Sequence, residues 1–278
     1  MKSTYPRIHI IPSQDGRRAI VLVRSRRHTC SYGWNLETHE FQFGQCLKAR
    51  LYEYRSDLSP NGQYFLYGAY EGRPVKQVYG MYAALSKAPY LKALDLYQNI
   101  ESRGGGGYFK NNHSYQLSEV FFNQTKFVRK ESQLTCLNTG EEHCLLGGVG
   151  VYVRRLRRLG WQDDGFTQTG GLGVGFLTLT KKSHDGLELR KTIHINSDTA
   201  NKPVEWEENQ LLYLGSKSIR ASAWPWADFI GGTLYWVCGA QLYSAAVSLE
   251  ALAGERGLEE TLVYSFDQTE FKEAVAPV

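Results

Sequence analysis

The side chains able to do chemistry are dispersed along the 278 residues: aspartates at 57, 95, 163, 164 and 228, seven histidines and five cysteines. Paired carboxylates cleave a glycosidic bond when they flank it at about 5–9 Å. Asp57, Asp95, Asp163, Asp164 and Asp228 are therefore the candidates for a glycan-directed hydrolase. Their contexts also fit plain structural work. Asp163-Asp164-Gly165 has the composition of a turn, and Asp57 and Asp228 stand just before turn-strand units, where a carboxylate caps backbone N–H groups. The histidines (His9, His28, His39, His113, His143, His184 and His194) share no spacing that sets two on one helical face, and Gly-x-Ser-x-Gly is absent. A nucleophile with its base and orienting group is not legible, and no catalytic residue is assigned.

Two glycine-rich stretches invite a phosphate-loop reading. Gly170 to Gly175 leads into Phe176–Thr180, which reads as a strand, whereas a dinucleotide loop must open a helix. Gly104 to Gly107 lacks the Lys-Ser/Thr that completes a P-loop. Both read as turns or close backbone contacts. Cys136, His143 and Cys144 form the only local grouping of metal-ligating types, but their spacing matches no compact zinc pattern. No cofactor and no metal are expected. Cys30, Cys46, Cys136, Cys144 and Cys238 give an odd count at irregular spacing, which argues against a disulfide framework and for a reduced protein.

Interface-forming residues are more plentiful. Tyr, Trp and Arg anchor protein interfaces, and the chain has 18 Tyr, the Trp224-Pro225-Trp226 pair and the cluster Arg154, Arg155, Arg157 and Arg158. A second cluster comprises Arg17, Arg18, Arg24, Arg26 and Arg27. The partner-binding set is Arg154, Arg155, Arg157, Arg158, Trp224 and Trp226, read as a docking surface for an acidic protein. A net charge of +4 is too small to imply nucleic acid. The start lacks a signal-peptide apolar region, and no run approaches the roughly 18 apolar residues of a membrane span. The expectation is a soluble, cytoplasmic protein that meets neither membrane nor nucleic acid.

The elements that must position these residues read as short strands. Abundant Tyr and Gly against 2 Met favour aromatic strands and tight turns over long amphipathic helices. Arg7 to Val23 reads as two strands about Asp15-Gly16, and Arg50 to Ala69 as two about Ser59-Pro60-Asn61-Gly62. Val78 to Ile100 supports either a short helix or irregular strands around Pro89. Cys144–Val153, Gly175–Thr180, Leu187–Ile195, Gln210–Leu214, Thr233–Val237, Gln241–Val247 and Thr261–Phe266 read as further strands.

Ser59 to Tyr67 places a Ser-Pro-Asn-Gly turn before an aromatic strand, and Glu207–Leu214 and Ala227–Trp236 read as weaker copies of the same order. In this the chain resembles bacterial β-propeller proteins of the broad WD-repeat-like kind. At about 40–50 residues per blade, the resemblance implies one all-β, antiparallel domain over residues 1–278 with five or six blades; a β-sandwich is the alternative. The function expected is a non-enzymatic protein-binding scaffold. Its specific version is a bacterial immunity protein that neutralises a cognate toxin by direct binding, and its alternative is the hydrolase, with carboxylates converging on a propeller channel.

Overall fold

The computed structural model describes residues 6–25, 28–75, 78–99, 105–118, 125–137, 149–171, 173–196, 205–213, 217–247, 259–271 and 276. The described chain is all-β apart from one helix, with five open sheets of three to five strands. Packing divides it into two compact units, one of residues 9–156 and 269–278, the other of residues 1–8 and 157–268.

In the first unit, β1 (Arg7–Pro12), β2 (Arg18–Arg24), β3 (Thr29–Asn35) and β4 (Phe41–Leu47) pair in chain order. β5 (Arg50–Leu58), β6 (Tyr64–Val75), β7 (Val78–Lys87) and β8 (Ala93–Asn99) do the same, with β11 (Thr125–Lys130) added beyond β8. β9 (Gly107–Phe109), β10 (Ser114–Leu117) and the two-residue β12 (Thr135–Cys136) form a small sheet in which β10 and β12 run parallel. The segment left open around Pro89 is therefore two strands with Pro89 in the turn. The Pro89 carbonyl accepts from Ser31 Oγ (2.6 Å), and Leu91 N donates to Gln45 Oε1 (2.8 Å), so polar side chains of the first sheet hold this turn. Ile11, Ile20, Leu22, Leu51, Phe65, Tyr67 and Leu96 form one apolar core, and Leu66, Met81, Leu85, Tyr97, Phe109 and Tyr115 a second.

In the other unit, β13 (Gln162–Gln168), β14 (Gly175–Lys182), β15 (Glu188–Ile195), β16 (Glu205–Tyr213) and β17 (Lys217–Trp224) make one sheet, and β18 (Ala227–Ile230), β19 (Thr233–Cys238), β20 (Gln241–Ala246) and β21 (Thr261–Ser265) a second. β15 alternates strictly: Leu189, Lys191, Ile193 and Ile195 are buried between half-exposed neighbours, as a sheet with one covered face requires. Two polar side chains that register with this buried face, Lys191 and Asn209, are cross-strand partners.

One hairpin chemistry recurs. Ser13-Gln-Asp-Gly16, Ser59-Pro-Asn-Gly62 and Ser183-His-Asp-Gly186 join β1 to β2, β5 to β6 and β14 to β15. In each, the glycine N–H donates to the serine carbonyl (2.8–3.2 Å), and the serine hydroxyl accepts a backbone N–H from the start of the next strand. The glycine takes φ of +70° to +81°, which an L side chain resists. The expected copy at Ala227–Trp236 is a hairpin about Gly231-Gly232. The expected copy at Glu207–Leu214 is not: 207–213 runs straight through β16, so the real repeats are the Ser-x-Asx-Gly turns at 13 and 183.

The expectation of no disulfide is corrected. Cys30 and Cys46 are bonded, and the sheet explains why: they are register partners on β3 and β4, with Cα atoms 4.0 Å apart. A spacing of sixteen residues carries no such signal, because the hairpin, not the sequence interval, brings them together. Both sulfurs lie against the Glu270 carbonyl, at 3.8 and 3.7 Å. Alkylation of the denatured protein without reductant is expected to leave Cys30 and Cys46 unmodified and to label them after reduction; peptide mapping reads the difference, and labelling before reduction would show an open pair.

Candidate functional site

β5 opens with Arg50-Leu-Tyr-Glu-Tyr-Arg55, and Leu51 faces the core while Arg50 is exposed. Two guanidinium groups lie over the Tyr52 ring, Arg50 at 4.8 Å and Arg55 at 4.9 Å from its centroid. β9 packs beside β5, and the glycine run makes that approach possible. At Gly106, with φ +84°, a Cβ would collide with the Arg55 carbonyl oxygen, and one at Gly68 would lie 2.9–3.0 Å from the Gly105–Gly106 backbone. The described part of this run is thus a close backbone contact, as expected, and it sets Tyr108 next to the strand that carries Tyr52.

Tyr108 repeats the arrangement. Its ring has Lys110 Nζ at 5.0 Å and Arg154 Cζ at 4.9 Å, and its hydroxyl donates to Gln116 Oε1 (2.7 Å). Arg154 arrives on α1 (Gly150–Arg158), the one helix among the described residues. Cys144–Val153 reads as a strand in sequence because Val151 and Val153 are β-branched, but Val151, Tyr152, Arg155 and Leu156 recur at helical spacing and are all buried. Arg155 pins the helix. Its guanidinium donates to the carbonyls of Glu53 (3.3 Å) and Ser56 and to His9 Nε2 (2.7 Å), and packs 4.7 Å from the Tyr152 ring.

The charge of this surface follows from where its acids go. Glu53 pairs with Arg24 (3.2 Å), and Asp57 is fully buried, accepting from the backbone N–H of Leu58 (2.9 Å) and Phe109 (2.8 Å). Residues 105–118 and α1 contain no Asp or Glu. Four cations thus surround two tyrosines, each cation–π contact contributing about 0.5–1 kcal/mol at such exposure.

No protein-family model matches this chain, and no curated protein matches it.

Of the six residues expected to bind a partner, Arg154 lies in this surface. Arg155 is 2% exposed and is a structural pin. Arg157 and Arg158 belong to the other unit, where Arg157 is exposed and paired with Asp163. Trp224 and Trp226 are 5% and 3% exposed; Trp224 stacks on Trp236, with centroids 5.2 Å apart, while Pro225 between them faces solvent. Their alternation around Pro225 is the available sign of a core role. Arg50, Tyr52, Arg55, Tyr108 and Lys110 were missed as a set because only the β5–β9 contact unites them; the signal that could have found them is the Arg-x-Tyr-x-x-Arg spacing.

The aspartates expected to support hydrolysis are occupied internally. Asp228 pairs with Lys181 (2.8 Å), Asp164 accepts from Thr180 Oγ1 (3.2 Å), and Asp163 accepts from Gly165 N (3.0 Å) at a bulge in β13. Asp95 accepts from Tyr115 OH (2.7 Å), Lys130 Nζ (2.9 Å), Ser132 Oγ, and the backbone N–H of Glu131 (3.0 Å) and Ser132 (2.8 Å). Burial pushes its carboxyl up, but the hydrogen bonds from Ser132, Tyr115 and Lys130 outweigh burial and hold it below the ordinary range. An anion so fully coordinated anchors a loop and is a poor base. Nearby, burial raises the Cys136 thiol, which weakens it as a nucleophile. Among the described residues no group of three His, Cys, Asp or Glu could hold a metal ion, and no helix is long and apolar enough to cross a membrane.

Proposed function

We propose that this chain is a non-enzymatic binding scaffold that docks an acidic protein partner on the surface formed by Arg50, Tyr52, Arg55, Tyr108, Lys110 and Arg154. The observation that carries the proposal is the pair of tyrosines, each in contact with two cations, on elements whose own acids are absent or turned to internal partners. Tyr and Arg together supply rigid area and charge-assisted bonds, the combination enriched at interface anchors. Its specific version is an immunity protein acting in the cytoplasm, which neutralises a cognate toxin by covering a carboxylate-lined active site. A propeller-like scaffold fits this role: three of the five sheets run as up-and-down meanders in chain order, and a fourth does so over β5 to β8, the form of a blade. The hydrolase reading draws no support from aspartates that are each engaged elsewhere.

The test is charge reversal at the two exposed positions, Arg50→Glu with Lys110→Glu, in a tagged pull-down from the native host followed by affinity measurement on the captured protein. Wild type is expected to retain one stoichiometric acidic partner that moderate salt releases. The double variant should bind it at least about tenfold more weakly with an unchanged circular dichroism spectrum. Equal affinity of the two proteins would remove this surface from the interface. Failure to capture any partner at low salt, with turnover on a glycan panel, would favour the enzyme.

A further inference from the structure

We infer that residues 269–271 are a strap that gates the thiol–disulfide chemistry of Cys30 and Cys46, so that the pair exchanges with small thiols only when the strap lifts. Alternation on β3 decides which residues the strap meets. Ser31 and Gly33 turn toward Pro89: the Ser31 hydroxyl donates to its carbonyl (2.6 Å), and a Cβ at Gly33 would lie 3.2 Å from its ring. Cys30 and Tyr32 therefore share the opposite face. Three consecutive residues cross that face. Thr269 Oγ1 lies 3.0 Å from Tyr32 OH, and the Glu270 carbonyl oxygen lies 3.8 Å from Cys30 Sγ and 3.7 Å from Cys46 Sγ. The Phe271 ring meets His28 edge-on at 5.5 Å, with Lys48 Nζ 4.4 Å from its centroid. The strap is thus fastened on both sides of the sulfur pair: at Tyr32 within β3, and at His28 and Lys48, which flank β3 and β4.

The two sulfurs differ in access. Cys30 is fully buried and Cys46 half-buried, so an incoming thiolate reaches Cys46. Its sulfur bonds to Cys46 Sγ as the Cys30–Cys46 bond breaks, and the electron pair leaves on Cys30 Sγ, which takes up a proton. A second thiol attacks the small-molecule sulfur of that mixed disulfide, releases Cys46 as a thiol and departs with the first as a small-molecule disulfide. Two low-molecular-weight thiols have then delivered two electrons and two protons to the protein. The closed strap obstructs the first attack, because no third sulfur fits between the Glu270 carbonyl oxygen and either cysteine at those distances, and the oxygen's lone pairs repel a thiolate. The same carbonyl suits the reduced pair, since its two lone pairs can accept from both S–H groups. The strap therefore closes over dithiol and disulfide alike and governs exchange in both directions.

An accessible disulfide in the cytoplasm is reduced by the glutathione-class thiol pool. A gated one keeps the state in which the strap last closed, and its lifetime is set by opening of the strap. That consequence rests on the cytoplasmic role proposed above; the gate itself does not.

Reduction of the folded, full chain by dithiothreitol, quenched by alkylation and followed by peptide mass spectrometry, tests the gate without a partner. Phe271→Ala removes the aromatic fastening, and its Cys30–Cys46 bond should be reduced at least about tenfold faster than that of wild type. The wild-type rate should stay flat across low urea, since lifting so short a segment exposes little surface, and climb only where global unfolding takes over. Equal rates in the two proteins, or a wild-type rate that climbs from the first addition of urea, would overturn the gate while leaving the charge-reversal result intact. Should Phe271→Ala fail to fold, Lys48→Gln decides. Lys48 is exposed, its replacement removes one cation–π contact, and reduction should quicken about two- to fivefold; an unchanged rate refutes the inference.

Discussion

Lys191→Met is expected to destabilise the protein by about 3–5 kcal/mol, the range for removing one partner of a buried ion pair. The side chains of Lys191 and Glu207 are each 1% exposed. Lys191 Nζ donates to Glu207 Oε1 (2.9 Å), Asn209 Oδ1 (2.6 Å) and the Ala227 carbonyl (3.5 Å), and lies 4.9 Å from the Trp161 ring centroid. Without it, a carboxylate stays on the same covered face as Leu189, Ile193 and Leu211, stripped of its lysine while Asn209 Nδ2 still donates to it (3.3 Å). The loss comes from the stranded anion more than from the bond removed. Lys191→Met combined with Glu207→Leu should therefore regain more than about half of the deficit. Urea unfolding followed by tryptophan fluorescence reads both variants. Losses that simply add would show that the pair is not coupled, and the charge argument would fall with it.

The same two residues show what sequence reading could reach. Leu187 to Ile195 reads correctly as a strand from its alternation, but alternation alone makes Lys191 look like an outward residue. Only the register, Lys191 opposite Asn209, puts it on the covered face beside an acid sixteen residues away. The antiparallel all-β class was legible because aromatic runs punctuated by Gly and Asx admit little else. α1 was not, because two valines in a nine-residue window imitate a strand and its helical spacing becomes evident only when Arg155 counts as buried. Asp163-Asp164-Gly165 was read as a turn. It lies within the edge strand Gln162–Gln168, whose bulge falls at that tripeptide, so the local reading found the irregularity and missed the pairing around it.

Arginine and tyrosine abundance led to the docking proposal, and of the residues singled out for it Arg154 lies over the Tyr108 ring. Arg155, one residue on, is turned inward by a helical rotation of about 100°. A run of four arginines on a helix cannot all face one side, and the fold uses one as a pin and another as part of a face. The glycines at 105–107 were correctly read as close backbone contacts, yet what they approach, the Arg55 backbone, decides the site and is set by the packing of β9 on β5.

Asp95 carries the other large effect. Its five donors come from three places: Tyr115 of β10, Lys130 at the end of β11, and the loop at 131–132. Tyr97 OH extends the chain to Tyr115 OH at 2.6 Å. Asp95→Asn keeps the volume but turns an NH2 group toward donors, leaving buried N–H and O–H groups facing one another. A loss of about 3 kcal/mol at neutral pH follows, since a buried charged acceptor with several donors costs more to remove than a neutral one. The pH dependence identifies the cause. Because the native carboxyl sits below its ordinary value of about 3.9, its ionised form is favoured by folding. Its contribution is complete above that ordinary value and disappears as pH falls through the lower native one. Wild type should thus lose its advantage over Asp95→Asn between about pH 5 and pH 2, and their urea midpoints should converge. A gap that persists at the acid end of that range would mean that the substituted amide fails by shape rather than by charge, and would reassign the anchor from the carboxylate to the packing around it.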